Sequence, residues 1–203
     1  MKKICILDYG LGNIRSLYNS IKIINSEVNY YSEIKNKNFD ILFIPGVGSF
    51  NTASKILRDK GYFKIIEKAN NENIKIIGIC LGMHILFSEG YEDGKSVGLN
   101  FIKGAVKRIK NTNLKLPNIG WKKILIEKNI DKVFFKKFDG KKFYFVHSYM
   151  GNIENSKNLV ASLNYDKVNI PAIVSNKNIL GIQFHPEKSG EIGIELLKDV
   201  IKN

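Results

Sequence analysis

Short apolar runs ending in turn residues alternate with amphipathic stretches through the first half of the chain. Residues 3–8 (KICILD) are the first such run, a strand of the type buried on both faces of a parallel sheet. A glycine-rich turn follows (Asp8-Tyr9-Gly10-Leu11-Gly12-Asn13), and apolar residues at Ile14, Leu17, Ile21 and Ile24 then predict a helix. Residues 40–45 (DILFIP) form a second buried strand that leads into Gly46-Val47-Gly48-Ser49-Phe50. Helical patterns over 52–58 and 63–71 precede another apolar run at 74–77. This strand–helix alternation predicts an α/β fold: a mostly parallel central sheet with helices on both faces.

The rhythm changes after Ser88. Residues 98–101, 105–109, 116–121, 122–126, 142–148, 159–164 and 172–175 read as short segments with turns, interrupted by a short helical stretch at 131–135. They predict antiparallel additions to the parallel core. Residues 179–185 (ILGIQFH) are a further strand, and 192–201 a closing helix. No stretch of linker composition divides the chain, so one domain over 1–203 is expected.

The chemistry concentrates at residues 76–87 (IIGICLGMHILF), where Gly78 and Gly82 bracket Cys80 and helical spacing resumes over 83–87. A strand passing through a sharp turn into a helix sets Cys80 on the turn, as in the nucleophile elbow of serine hydrolases. The helix N-terminus would favour a thiolate. A buried structural cysteine between two packing glycines is the alternative. The Gly46-Val47-Gly48 loop can turn its N–H groups outward as an oxyanion hole or anion nest, or serve as a plain β-to-α turn. The earlier Gly10-Leu11-Gly12 turn lacks a third glycine where Arg15 stands, which makes it weak evidence for a nucleotide site.

A cysteine nucleophile needs a base. His185 stands just past a strand, and Glu187 two residues on can orient its imidazole. His84, four residues after Cys80, is a rival, whereas His147 in an apolar strand end reads as a structural histidine. The three histidines and two cysteines show no metal-ligand spacing, and no cofactor is called for.

Bulk properties alter this picture little. The net charge of +13 invites a nucleic-acid reading, but the lysines are scattered and arginine occurs only at Arg15, Arg58 and Arg108. Cys5 and Cys80 cannot build a disulfide framework, and no apolar run reaches signal-peptide or membrane-spanning length, so a reducing cytoplasm is expected.

PGVGSF, GICLGMHILF, PNIGW, FYFVHSY and GIQFHPEKSG occur in an order and spacing that resemble the class I (triad-type) glutamine amidotransferases. The resemblance runs from residue 8 to the last helix. It implies a flavodoxin-like core in which Cys80, His185 and Glu187 hydrolyse glutamine to glutamate and ammonia. Gly46, Val47, Gly48 and the N–H of Leu81 would hold the oxyanion, after a peptide reorientation in the loop. Gly48, Met83, His84, Glu92, Ser148, Tyr149 and Met150 are the implied glutamine pocket.

The branch most similar works as a heterodimer with a HisF-like (β/α)8-barrel cyclase. That partner takes up the ammonia to form imidazole glycerol phosphate and an aminoimidazole carboxamide ribotide in histidine biosynthesis. Asn13, Arg15, Pro117, Asn118, Gly120 and Trp121 are the implied docking surface. Two positions depart from the family pattern. His84 replaces a glutamine that helps bind substrate, which predicts weaker or more pH-dependent glutamine binding. PNIGW replaces PHMGW in the docking loop. These departures leave open a paralogue that supplies ammonia for acetamidino-sugar synthesis on surface glycans, and a catalytically silent docking subunit.

Overall fold

Strand β1 (Lys3–Ile6) sends Ile4 and Ile6 to one face of the sheet and Cys5 to the other, the period-two alternation that sorts this fold into layers. The computed structural model describes residues 2–24, 27–34, 38–128 and 130–203. After β1 come helix α1 (Ile14–Ile23), β2 (Glu27–Tyr30), β3 (Ile41–Ile44), α2 (Phe50–Asp59), α3 (Tyr62–Asn71), β4 (Lys75–Ile79) and α4 (Leu81–Ile85). The second half holds β5 (Phe87–Gly90), β6 (Ser96–Val97), β7 (Ile102–Arg108), β8 (Asn118–Lys123), β9 (Leu125–Ile126), β10 (Lys142–His147) and β11 (Tyr149–Ile153). Strands β12 (Leu159–Tyr165), β13 (Val168–Asn176) and β14 (Ile179–Ile182) and helix α5 (Gly190–Lys202) complete the chain.

Among the described residues, eight strands form the main sheet in the order β2-β1-β3-β4-β14-β13-β12-β9. The pairings from β2 to β14 are parallel, and those that add β13, β12 and β9 are antiparallel. One face packs on α1 and α5, through Leu17, Ile21, Leu196 and Leu197 against Ile4, Ile6, Ile77 and Leu180. The other packs on α2, α3 and α4, through Ala53, Leu57, Ile66 and Met83 against Cys5, Leu42, Ile44 and Ile76. The fold class is therefore as expected: α/β with antiparallel additions. A β8–β10 ribbon and a four-stranded sheet (β11-β7-β5-β6) flank this core.

Three local expectations are corrected. Strand β2 has no counterpart in the apolar pattern, because its sequence EVNY buries only Val28 and carries no strand-like apolar run. The helix expected over 83–87 is α4, which ends at Ile85, and Phe87 already belongs to β5. The carbonyl of Leu86 accepts from the N–H groups of Phe101 and Ile102, so the backbone there is committed to β-type pairing. The helical stretch expected at 131–135 is a 3-10 turn over Val133–Phe138, which plants Phe135 and Phe138 in the core.

Candidate active site

The parallel strands all deliver their carboxyl ends to one side of the sheet, where sites of open α/β sheets lie. At the end of β4 the backbone of Cys80 adopts φ 53° and ψ −108°, a conformation L-residues rarely hold and one costing about 1–3 kcal/mol. The flanking glycines make this turn possible. A Cβ on Gly78 would lie 2.5 Å from the Gly82 carbonyl oxygen, and one on Gly82 would collide with the Ile44 carbonyl of β3. Cys80 N–H donates to Ile182 O of β14 at 2.7 Å, and Cys80 O accepts the first intrahelical bond of α4 from His84 N–H. The elbow is thus tied to the strand that presents His185. Helix α4 spans only five residues, so its dipole gives the sulfur little help.

Past β14, Pro186 opens a 3-10 turn over Pro186–Lys188 that brings Glu187 back onto the ring of His185. His185 Nδ1 lies 2.7 Å from Glu187 Oε1, with both side chains almost completely buried. Ser189 fastens the turn: its hydroxyl donates to His185 O at 2.7 Å and accepts from Tyr144 N–H at 3.0 Å. With Nδ1 spent on Glu187, Nε2 is the nitrogen left for Cys80. Burial opposes charging this ring, but the neighbouring Cys80 sulfur and the Glu187 carboxylate outweigh it and raise the pKa to about 10, while among the described residues Nε2 itself has no hydrogen-bond partner. The imidazole is held protonated, ready to donate a proton. A cysteine elbow beside a buried imidazole–carboxylate pair offers the groups that acyl transfer uses.

The loop after β3 lies beside the elbow. A Cβ on Gly46 would come within 3.2 Å of Leu81 Cβ, Gly48 has φ +113°, and Val47 and Gly48 are exposed. Leu81 opens α4, so its N–H is among the donors a helix start leaves unsatisfied. Glu92 Oε2 accepts from Phe50 N–H at 3.2 Å and so caps the first turn of α2, directly after this loop.

Other expected site residues have different surroundings. Met83 is fully buried against Gly181 of β14 and is a core side chain. Ser148, Tyr149 and Met150 form the half-buried junction of β10 and β11. Asn13, Arg15, Pro117 and Trp121 are exposed and Gly120 is half-buried. Asn118 is wholly interior: its Nδ2 lies 2.9 Å from His147 Nε2, which excludes its side chain from a docking surface. His147 Nδ1–H in turn donates to Tyr149 O at 2.8 Å, an interior role set by burial between strands. A groove of about 1250 Å³ is lined by segments including Leu125, Lys132, Lys157 and Lys177. It lies towards the amino end of β14, away from the triad.

Residue 84 is the clearest change of expectation. His84 Nε2 lies 2.8 Å from Gln183 Oε1, and both side chains are buried. Burial depresses the His84 pKa to about 4 despite the Gln183 bond, so the ring is neutral near pH 7 and donates from Nε2. A pH-dependent substrate contact near neutrality does not follow. Gln183 carries no motif signal of its own in the sequence, although it sits two residues before His185, just past β14. The buried ring instead predicts acid sensitivity. Charging is disfavoured only in the folded state, so the unfolded chain takes up protons first. The stability that neutral His84 contributes is complete above pH 6.5 and is lost as pH falls through 4. His84→Gln should flatten the acid limb of melting temperature against pH while leaving KM for glutamine within about two-fold above pH 6. An unaltered acid limb would refute this.

Comparison with known proteins bears on this geometry. The family model "Glutamine amidotransferase class-I" matches residues 5–203. The chain is 40% identical over 199 residues to "Imidazole glycerol phosphate synthase subunit HisH" of Lactococcus lactis, covering 98% of this chain and 97% of that one. It is 36% identical to the protein of the same name from Sulfolobus acidocaldarius, covering 97% and 96%. Among solved structures, PurLQS of Thermotoga maritima includes a chain that superposes with a TM-score of 0.72 at 21% identity, over 100% of this chain and 99% of that one. A glutamine amidotransferase of Thermotoga maritima gives a TM-score of 0.64 at 18% identity, over 99% and 84%. These structural likenesses carry the fold alone. With a cysteine elbow, a buried His–Glu pair just past the neighbouring strand and a family match over nearly its whole length, the chain belongs to the class I glutamine amidotransferases.

Proposed function

We propose that the protein is the glutaminase subunit of imidazole glycerol phosphate synthase, hydrolysing glutamine and passing the ammonia to a HisF-type (β/α)8-barrel cyclase in the cytoplasm. The observation that carries the chemistry is the buried His185–Glu187 pair, 2.7 Å apart, set against Cys80. The similarity to proteins named HisH, over almost the full length of both chains, supports the pathway.

In this reading the Cys80 proton already resides on His185. The sulfur attacks the side-chain amide carbon of glutamine, and the carbonyl becomes an oxyanion facing Leu81 N–H and the Gly46–Gly48 loop. Collapse expels ammonia with the proton that His185 donates and leaves a glutamyl thioester. His185, now neutral, takes a proton from water as the oxygen adds to the thioester carbon. Breaking the C–S bond then releases glutamate and restores the starting pair. Glu187 keeps Nδ1 protonated throughout, so Nε2 does the proton transfer.

Ammonia must not escape to water, and the exposed Trp121, Pro117, Asn13 and Arg15 are the docking side chains of this reading. Glutamate release by the purified chain should be slow alone. It should rise by about 100-fold with the cyclase and its nucleotide ligand, the upper part of the usual coupling between sites. Complementation of a histidine auxotroph checks the pathway directly. A Cys80-dependent rate indifferent to that partner, with no complementation, would keep the glutaminase and remove it from histidine synthesis.

A further inference from the structure

The first βα turn, Asp8–Asn13, has no part in the chemistry above, yet it lies directly against the oxyanion loop. A Cβ on Gly46 would strike the Tyr9 hydroxyl, and a Cβ on Gly12 would stand 3.1 Å from Gly46 Cα. The turn is a firm seat. Gly10 N–H donates to Asp8 Oδ1 at 3.2 Å, Lys60 Nζ donates to Tyr9 O at 3.4 Å, and the Tyr62 hydroxyl donates to Asp8 O at 3.4 Å.

Tyr9 itself is only 1% exposed, and among the described residues its hydroxyl has no hydrogen-bond partner. Leaving a buried phenol unpaired is unfavourable, and such groups in a folded protein call for an explanation. Burial first, and the nearby Cys80 second, push its pKa well above the usual tyrosine value, so the hydroxyl keeps its proton and remains a donor at any working pH.

We propose that Tyr9 is a positioning residue for the oxyanion hole, its hydroxyl holding the Gly46–Val47 peptide in the orientation that stabilises the tetrahedral intermediate. The neighbouring backbone at Gly46 supplies the acceptor. A trans peptide carries its C=O and N–H on opposite sides. When the Gly46 carbonyl turns down to accept from Tyr9, Val47 N–H turns to the other side of the loop, where Val47 and Gly48 are exposed and an amide substrate enters. One rotation thus satisfies the orphaned phenol and creates an oxyanion donor. Gly48, with φ +113° and open space around its Cα, gives the loop freedom to make it.

This inference rests on the glutaminase reading, and Tyr9→Phe tests it in the complex with the cyclase and its nucleotide ligand. The substitution removes one oxygen and keeps the ring. The expected result is a fall in kcat of about 10- to 100-fold, below the loss for deleting an oxyanion donor outright, with KM for glutamine within about two-fold. Alkylation of Cys80 by iodoacetamide, which forms no oxyanion, should proceed at the wild-type rate, and the melting temperature should hold or rise. A kcat within two-fold of wild type would overturn the proposal. So would a matching fall in alkylation rate, which would locate the damage in the elbow. Wild-type turnover in the same assay tests the glutaminase reading separately, and its absence sinks both.

Discussion

Cys80→Ala should lower glutamine hydrolysis by about 10,000-fold or more in the complex, since removing the nucleophile of such a unit leaves only binding and oxyanion stabilisation. His185→Asn should cost about 1,000-fold or more, because the Nε2 proton is lost from both half-reactions. The double variant should be no slower than the worse single one, because the two side chains act as one device. Measurement is of glutamate release with and without the cyclase, with circular dichroism and gel filtration to show that fold and complex survive. A Cys80→Ala protein that keeps several per cent of wild-type turnover would place the nucleophile elsewhere.

Gly82→Ala should have the largest effect on stability. Its new methyl would drive into the Ile44 carbonyl, a backbone group held in the centre of the parallel sheet. Either β3 shifts or α4 is pushed off β4, and overpacking of this kind costs about 3 kcal/mol or more. For a domain of this size each kcal/mol moves the melting temperature by about 2–4 °C, so a drop of about 10 °C is expected. Activity should fall as well, since the displaced helix starts at Leu81. A melting temperature within about 2 °C of wild type would show that the two backbones have room to spare.

How much of this was legible in the sequence depends on the range of each interaction. The elbow was legible because part of its demand is local: Gly78 is required by the backbone of Gly82 and Met83, within a few residues of Cys80, whereas Gly82 is required by Ile44 of β3. The His185–Glu187 pair was legible for the same reason, being two residues apart in one turn. The fate of His84 was not, because its partner Gln183 arrives from the far end of the chain. Asn118 likewise read as part of a docking loop, and only the β8–β10 pairing turns it inward to His147. The end of α4 is not legible because an apolar run buried on all sides has no informative period; Leu81 to Phe87 are all buried, in helix and strand alike. Strand β2 escaped notice because a four-residue edge strand needs few apolar residues.

The bond from Cys80 N–H to Ile182 O has a consequence for biosynthesis. Cys80 and His185, the nucleophile and base of the proposed function, follow adjacent strands that lie about half the chain apart in sequence, a contact of high order that forms slowly. A nascent chain emerging from the ribosome carries its cysteine long before β14 is available to pair with β4. Until that last strand inserts, the elbow has neither its backbone tether nor its imidazole. In the proposed function, catalytic competence is therefore withheld until β14 has paired with β4.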